Sequence, residues 1–204
     1  KVYNFEQRRG YMLSKHQFQL LLNLKNKAEK TNQRLISEEL GFSLGTVNKL
    51  IQEAEENGWI SSEYEVTEKG LKALEPYRVE NAIIMAAGMS TRFAPLSYET
   101  PKGLLVVKGE RLIEREIKQL REAGIQKITL VVGYMKEKMF YLADKFGVEI
   151  VVNEDYYRYN NCSSLMLVRK QLGNTYICSS DNYFVENPFE EYVYRGYYST
   201  VFAE

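Results

Sequence analysis

Histidine and cysteine are almost missing: one histidine, His16, and two cysteines, Cys162 and Cys178, in 204 residues. A lone imidazole excludes His-rich zinc sites and argues against a histidine-dependent nucleophile triad. Two cysteines are too few for a disulfide scaffold and fit a reducing, cytoplasmic setting. The longest uninterrupted apolar run is Ala82–Ala87, far short of the ~20 residues that cross a bilayer. No secretory apolar segment stands near the start. Neither charge sign is in excess, with 27 Lys+Arg against 27 Asp+Glu. Residues 1–78 hold 12 basic and 11 acidic side chains, and 79–204 hold 15 and 16. Neither part has the positive bias of a chain held to nucleic acid by charge alone.

What is present is an ordinary apolar fraction, 45%, enough to bury a core. The length allows one large domain or two small ones. Composition shifts near residue 78, from helix-forming Leu, Lys, Glu and Gln to β-rich runs such as AIIMAAG, ITLVVG and VEIVVN. The chain begins at Lys1 rather than Met, so it is read as an excised piece of a longer protein.

The first ten residues read as a tail. From Ser14, the spacing of Phe18, Leu21, Leu22 and Leu24 predicts an amphipathic helix to about Lys30. Ser37 is a candidate cap for a short helix ending at Gly41, and Ser43 for the next, whose apolar face carries Val47, Leu50, Ile51 and Ala54. Gly58 ends that helix. Trp59-Ile60 then start a hairpin returning through Tyr64-Glu65-Val66, and Thr67 caps a last helix. The order is that of a winged helix-turn-helix over residues 12–78, and LGFSLGTVNKLIQEAEENGWI resembles the reading unit of winged-helix regulators of the MarR and GntR kind. That resemblance implies Ser43, Thr46, Asn48 and Lys49 as DNA-reading residues. A docking or dimerising module, giving a homodimer, is the alternative, favoured by Glu53, Glu55 and Glu56 on the helix and Glu63 and Glu65 at the hairpin tip.

From Val79 a strand–loop–helix pattern repeats. Asn81–Ala86 reads as a parallel strand buried on both faces. The small residues Ala86, Ala87 and Gly88 after it let backbone approach a ligand. Met89 continues the loop, Ser90 and Thr91 add hydroxyls, and Arg92 adds a planar cation suited to phosphate. Lys102, after Pro101, adds a second positive charge. A strand end, an amide-rich turn and two cations make a polyphosphate site. Neither the P-loop nor the G-x-G-x-x-G fingerprint is present.

AAGMSTRF followed by PKGLL, with VKGERLIEREIKQLREAGIQKITLVVGY downstream, resembles the nucleotidyltransferases that make activated NDP-sugars and CDP-alcohols. The resemblance spans about residues 79–204 and implies a Rossmann-like α/β domain with a mixed sheet. Within the family, RF, the GY after the third strand and NEDYYRYNN are most similar to bacterial phosphocholine cytidylyltransferases. That likeness implies transfer of CMP from CTP to phosphocholine, with release of pyrophosphate. A sugar-1-phosphate acceptor, or a nucleotide-sensing winged-helix regulator without turnover, are the alternatives. The resemblance places the triphosphate on the loop from Ala86 to Thr91, with Arg92 on the β/γ phosphates and Lys102 at the α-phosphate. It places the base near Asn160, Asn161 and Ser164, and Mg²⁺ on Asp181, which comes after a strand at Tyr176–Ser179.

The residues alone also allow Asp181 as a turn residue and the cysteines as small core side chains. Tyr156, Tyr157, Tyr159 and Tyr183 offer faces to a quaternary ammonium, though packing explains them equally well. A second metal carboxylate and the acceptor wall are expected after YSTVFA, read as a strand leading into the acceptor-binding half. The chain itself is therefore expected to bind nucleotide better than it turns it over.

Overall fold

The structure, a computed structural model, describes residues 12–27, 31–159 and 161–200. The expected N-terminal tail, Asn160 and the end of YSTVFA lie outside the described residues. The chain divides into two compact units. One comprises the residues up to Arg78 together with the segment from Tyr192, and the other is Val79–Glu191.

In the first unit, α1 (Lys15–Lys25) opens on a reciprocal cap in which Ser14 and Gln17 exchange side-chain and backbone hydrogen bonds. The helix stops at Lys25, short of the expected Lys30. Just beyond it, the Lys27 ammonium donates to Thr31 (2.7 Å) and pairs with Glu39 (2.8 Å) of the next helix. That helix, α2 (Gln33–Leu40), is capped not by Ser37 but by Asn32, whose side chain accepts from the Arg34 and Leu35 amides. Ser37 lies inside it and donates to the Phe42 carbonyl. Gly41, at φ 66°, closes it in the left-handed region.

Ser43 caps α3 (Leu44–Glu56), which buries Val47, Leu50, Ile51 and Ala54. Ile60 and Val66 pair across the wing, and Thr67 caps α4 (Glu68–Leu74). The segment from Tyr192 joins this core. Tyr194 stacks on Tyr77 (5.6 Å) and meets Phe18 at a tilt (5.4 Å), and both tyrosine hydroxyls donate to the Leu13 carbonyl at 3.2 Å. The described part of YSTVFA, 198–200, is not in a strand.

In the second unit, β1 (Asn81–Ala86), β4 (Ile128–Val132), β5 (Glu149–Val152) and β6 (Thr175–Ser179) form one sheet, order β5-β4-β1-β6. Every pairing in it is parallel. Antiparallel pairing is confined to the short ladder of β2 (Val106–Val107) with β3 (Glu110–Arg111). Central β1 and β4 are apolar and buried, as strands covered on both faces require, and the outer strands are partly exposed. The helices α5 (Leu112–Glu122), α6 (Tyr141–Phe146) and α7 (Asn161–Leu167) lie between strands in the chain.

Gly70 shows how tightly the wing meets α4. A Cβ there would stand 2.2 Å from the Trp59 carbonyl oxygen, and the Thr67 hydroxyl holds the carbonyls of Gly58 and Trp59 in place. Alanine is the better helix former by ~1 kcal/mol, yet Gly70→Ala should destabilise the first unit by about 1–3 kcal/mol through overpacking. Urea unfolding followed by circular dichroism checks this, and an unchanged or raised midpoint would refute it.

Candidate active site

Parallel pairing puts the carboxyl ends of β4, β1 and β6 in one row. Met85 stands opposite Val131 and Ser179, and Ala86 opposite Val132. The loop after β1, the turn after β4 and the residues after β6 are therefore neighbours, the place where open parallel sheets bind ligands.

Two glycines let these segments close up. A Cβ on Gly133 would fall 2.9 Å from the Ala87 carbonyl and 2.7 Å from the Tyr156 Cβ. The next amide, that of Tyr134, donates to the Ala87 carbonyl at 3.1 Å. A Cβ on Gly103 would meet Ser180 at 3.0 Å, so the turn Lys102–Leu104 lies against the end of β6. Gly88 differs: its φ is not positive and a Cβ would meet nothing within 4 Å. Neither backbone conformation nor packing asks for glycine there.

Ala86 and Ala87 are buried, Gly88 and Met89 are exposed. Ser90 takes a left-handed φ of 52° and starts the turn Thr91–Phe93, on which Thr91 and Arg92 stand exposed. Across the row, Lys102 is ion-paired with Asp181, 79 positions later, and the Ser179 hydroxyl donates to the other carboxylate oxygen. Burial pushes the Asp181 carboxyl up, but the Lys102 ammonium and the Ser179 hydroxyl outweigh it and hold it below the usual carboxylate range. Among the described residues, no three His, Cys, Asp or Glu side chains cluster as a metal site.

Ser164 is buried on α7, where Asn153 donates to its hydroxyl at 2.9 Å. Asn161 opens α7, and Asn160 lies outside the described residues. Asn153, missed in the sequence, is itself buried, and its amide donates to the Val132 carbonyl at 2.8 Å. It ends the β-rich run VEIVVN, a position that could have marked it.

The tyrosines separate. Tyr156 contacts Tyr134 (6.3 Å) and Tyr157 (5.7 Å), whereas the Tyr183 ring already carries Arg115 (4.9 Å) and Lys108 (5.6 Å). Cys178 is a buried small side chain as expected, but Cys162, in the first turn of α7, is exposed.

Sequence reading also missed Glu116. On α5 it is 1% exposed, and burial, followed by the charge of Asp181, pushes its carboxyl up to about 8.

In the first unit, Ser43 and Thr46 hydrogen-bond each other at the start of α3 (2.9 Å), and Lys49 stands 3.9 Å from Glu53. Asn48 lines a shallow cavity of about 600 Å³ with Asn32, Gln33, Arg34 and Tyr64.

The Lys102–Asp181 pair yields a titration test. A carboxylate held low favours the folded state above its unfolded value, and that contribution is lost as pH falls through the folded value. Lys102→Met removes the principal opposing charge and leaves burial to dominate, so the Asp181 carboxyl should titrate higher than in the parent. Carbon NMR of the side-chain carboxyls reads this, and an unmoved midpoint would mean that the pair does not form in solution.

Residues 82–197 match the family model described as MobA-like NTP transferase domain, and 19–89 match one described as wHTH-PRTase associated. The choline-phosphate cytidylyltransferase of Streptococcus pneumoniae is 45% identical over 123 residues, 60% of this chain and 54% of that protein. The 2-aminoethylphosphonate cytidylyltransferase of Lancefieldella rimae is 46% identical over 104 residues, 50% of this chain and 42% of that protein. A solved structure of the CTP:phosphocholine cytidylyltransferase from Streptococcus pneumoniae superposes with a TM-score of 0.54 at 47% identity, covering 56% of this chain and 50% of that one. The chain thus spans about half the length of the curated relatives it matches. One family model covers more than half of the chain and takes in the loop, the lysine turn and the carboxylate, so this chain belongs to the MobA-like NTP transferase domain family.

Proposed function

We propose that residues 79–204 supply the nucleotide-binding half of a cytidylyltransferase that moves CMP from CTP to phosphocholine. Residues 12–78 form its winged accessory module. The observation that carries the reading is the Lys102–Asp181 pair at the carboxyl end of β6, on the same sheet edge as the open, exposed Gly88 that follows β1. A glycine that the protein's own packing does not require, next to two cations, suits a phosphate chain lying against backbone amides.

The chemistry fits these side chains. An acceptor phosphate oxygen, already an anion, bonds to the α-phosphorus as the bond to the β-phosphate oxygen breaks, and pyrophosphate leaves. No proton needs to be removed, which agrees with a chain whose only histidine is His16. What is needed is alignment and neutralisation of charge. In this reading the amides from Ala86 to Thr91, with the Ser90 and Thr91 hydroxyls, cradle the triphosphate. Arg92 takes the β/γ oxygens and Lys102 the α-phosphate, while Asn160, Asn161 and Ser164 border the base. Asp181 presents the hard oxygen that magnesium uses together with phosphate oxygens and water, and there the ion supplies charge neutralisation for the phosphates.

The acceptor is the finer question. Two relatives named for different acceptors are matched almost equally, at 45% and 46% identity. The matched region therefore follows what they share, cytidylyl transfer. Phosphocholine is preferred because the longer match and the superposed structure both carry it. Tyr134 and Tyr156, beside the Ala87 carbonyl, offer aromatic surface to its quaternary ammonium.

Calorimetry with Mg·CTP is the direct test. Arg92→Ala and Lys102→Ala should each weaken binding more than about tenfold, or over ~1.4 kcal/mol. If both variants bind like the parent, the site lies elsewhere. A preference for UTP or dTTP over CTP would favour a sugar-phosphate acceptor instead.

For the winged module we favour a protein-docking or dimerising role over DNA reading through Ser43, Thr46, Asn48 and Lys49. The candidate reading helix has its lysine beside Glu53, and Glu63 and Glu65 stand exposed on the wing. Duplex DNA should bind only weakly at physiological salt. Tight, steeply salt-dependent binding in a fluorescence anisotropy titration would overturn this.

A further inference from the structure

Glu116 is the least expected polar group in the second unit. It is 1% exposed, and neither carboxyl oxygen meets a hydrogen-bond donor among the described residues. Gln119 is one turn further along α5, on the same face, and is also buried. Its amide nitrogen donates to the Phe184 carbonyl at 3.2 Å, while its amide oxygen has no donor. Buried acceptors without donors are costly and call for a physical account. Three unmatched acceptor atoms lie on one helix face, and a single proton answers two of them, because a neutral carboxyl carries an O–H.

We propose that Glu116 is kept protonated and donates to the Gln119 side-chain oxygen, making a buried strut that holds the chain following Asp181 through Phe184. Glu116 is thus a positioning residue. Its consequence for nucleotide chemistry rests on the reading of Asp181 given above, while the strut itself does not.

The same helix fastens the same segment from outside. Arg115 donates to the Phe184 and Val185 carbonyls at 2.9 and 2.8 Å, and the Asn187 side chain donates to the Gln119 carbonyl at 2.8 Å. Gln119 thus meets the segment through both its side-chain amide and its backbone carbonyl.

The charged and titratable groups facing Glu116 favour the neutral form. From β6 and the turn after it come Cys178 and Asp181. Burial, above all, pushes the Cys178 thiol up, so it adds no charge beside Glu116. Asp181 is ionised, with Lys102 from the neighbouring turn paired to it. Burial first, and the Asp181 charge second, raise the Glu116 carboxyl to about 8. Above that value the strut should lose its proton, Gln119 its donor, and the segment its hold.

The test uses the full chain with Glu116→Gln, a permanently neutral donor, and Glu116→Leu, which has none. In infrared spectra at neutral pH the parent should show a protonated-carboxyl stretch that the Gln variant lacks. Hydrogen exchange of residues 182–187, corrected for intrinsic rates, should speed up by about fivefold or more in the parent between about pH 6 and about pH 10. The Gln variant should stay protected at both values, and the Leu variant should exchange fast at both.

Absence of the carboxyl band, or a Gln variant as open as the Leu variant, would overturn the proposal. Should the Leu variant fail to fold, the parent pH profile and the Gln variant still decide. Loss of Mn²⁺ binding in the Gln variant would also overturn it, by showing that the charge of Glu116 is what the protein uses. None of the exchange or infrared signals needs nucleotide, so a parent that fails to bind CTP would sink the enzymatic reading and leave the strut standing or falling by itself.

Discussion

The site exists because β1 is held between β4 and β6 by parallel pairing on both sides. A parallel pair forces neighbouring strands to end at the same edge, and each return must cross a face of the sheet. Three loops far apart in sequence are thereby brought side by side, with Ala86 level with Val132 and Met85 with Ser179. The stabilisation comes from Ile83, Ile84, Leu130 and Val131, all fully buried, each worth about 1.5–3 kcal/mol. The Lys102–Asp181 pair, with side chains 31% and 25% exposed, results from that closure and contributes little to it. Gly103 and Gly133 mark how close the closure is, since either would meet a neighbour if it carried a Cβ.

Much of this was legible in the sequence where the signal is local. The Asn81–Ala86 strand, the helix start after Ser14, the caps at Ser43 and Thr67, and the placement of Asp181 just past a strand each depend on a few adjacent residues. The failures all involve distant partners. Ser37 and Asn32 are both good caps, but it is the Asn32 side chain that meets the Arg34 and Leu35 amides, while Ser37 is taken by the Phe42 carbonyl. Tyr192 and Tyr194 look like loop residues, yet Phe18, Tyr77 and the Leu13 carbonyl make Tyr194 core, and Tyr192 is buried with it. Tyr183 looked available to an ammonium ligand, but Lys108 and Arg115 already lie over its ring.

Glu116 was hidden for a related reason. In LIEREIKQLRE the apolar stripe is Leu112, Ile113, Ile117 and Leu120, which leaves Glu114, Glu116 and Gln119 to be read as a solvated face. The structure buries these polar residues as well. Glu114 reaches Tyr141 and Lys145 at 2.7 Å, so its burial is matched by partners. Gln119 engages the segment after β6. Periodicity reports one partner surface per helix, and a helix that also engages a polar strap exceeds what it can show.

The ionisable groups near the site form a gradient of burial that matches the needs of phosphate chemistry. Arg92 is exposed, where a planar cation meets a highly charged ligand without a prior desolvation cost. Lys102 and Asp181 are partly buried and keep opposite charges within one hydrogen bond of each other, and the proposed chemistry would exchange that partnership for phosphate on one side and a cation on the other. Glu116 is fully buried, and its carboxyl is pushed towards the neutral form. A second full negative charge near Asp181 would hold Lys102 more tightly to the carboxylates. Keeping the Glu116 carboxyl neutral would leave a single negative charge, that of Asp181, for the ammonium to answer.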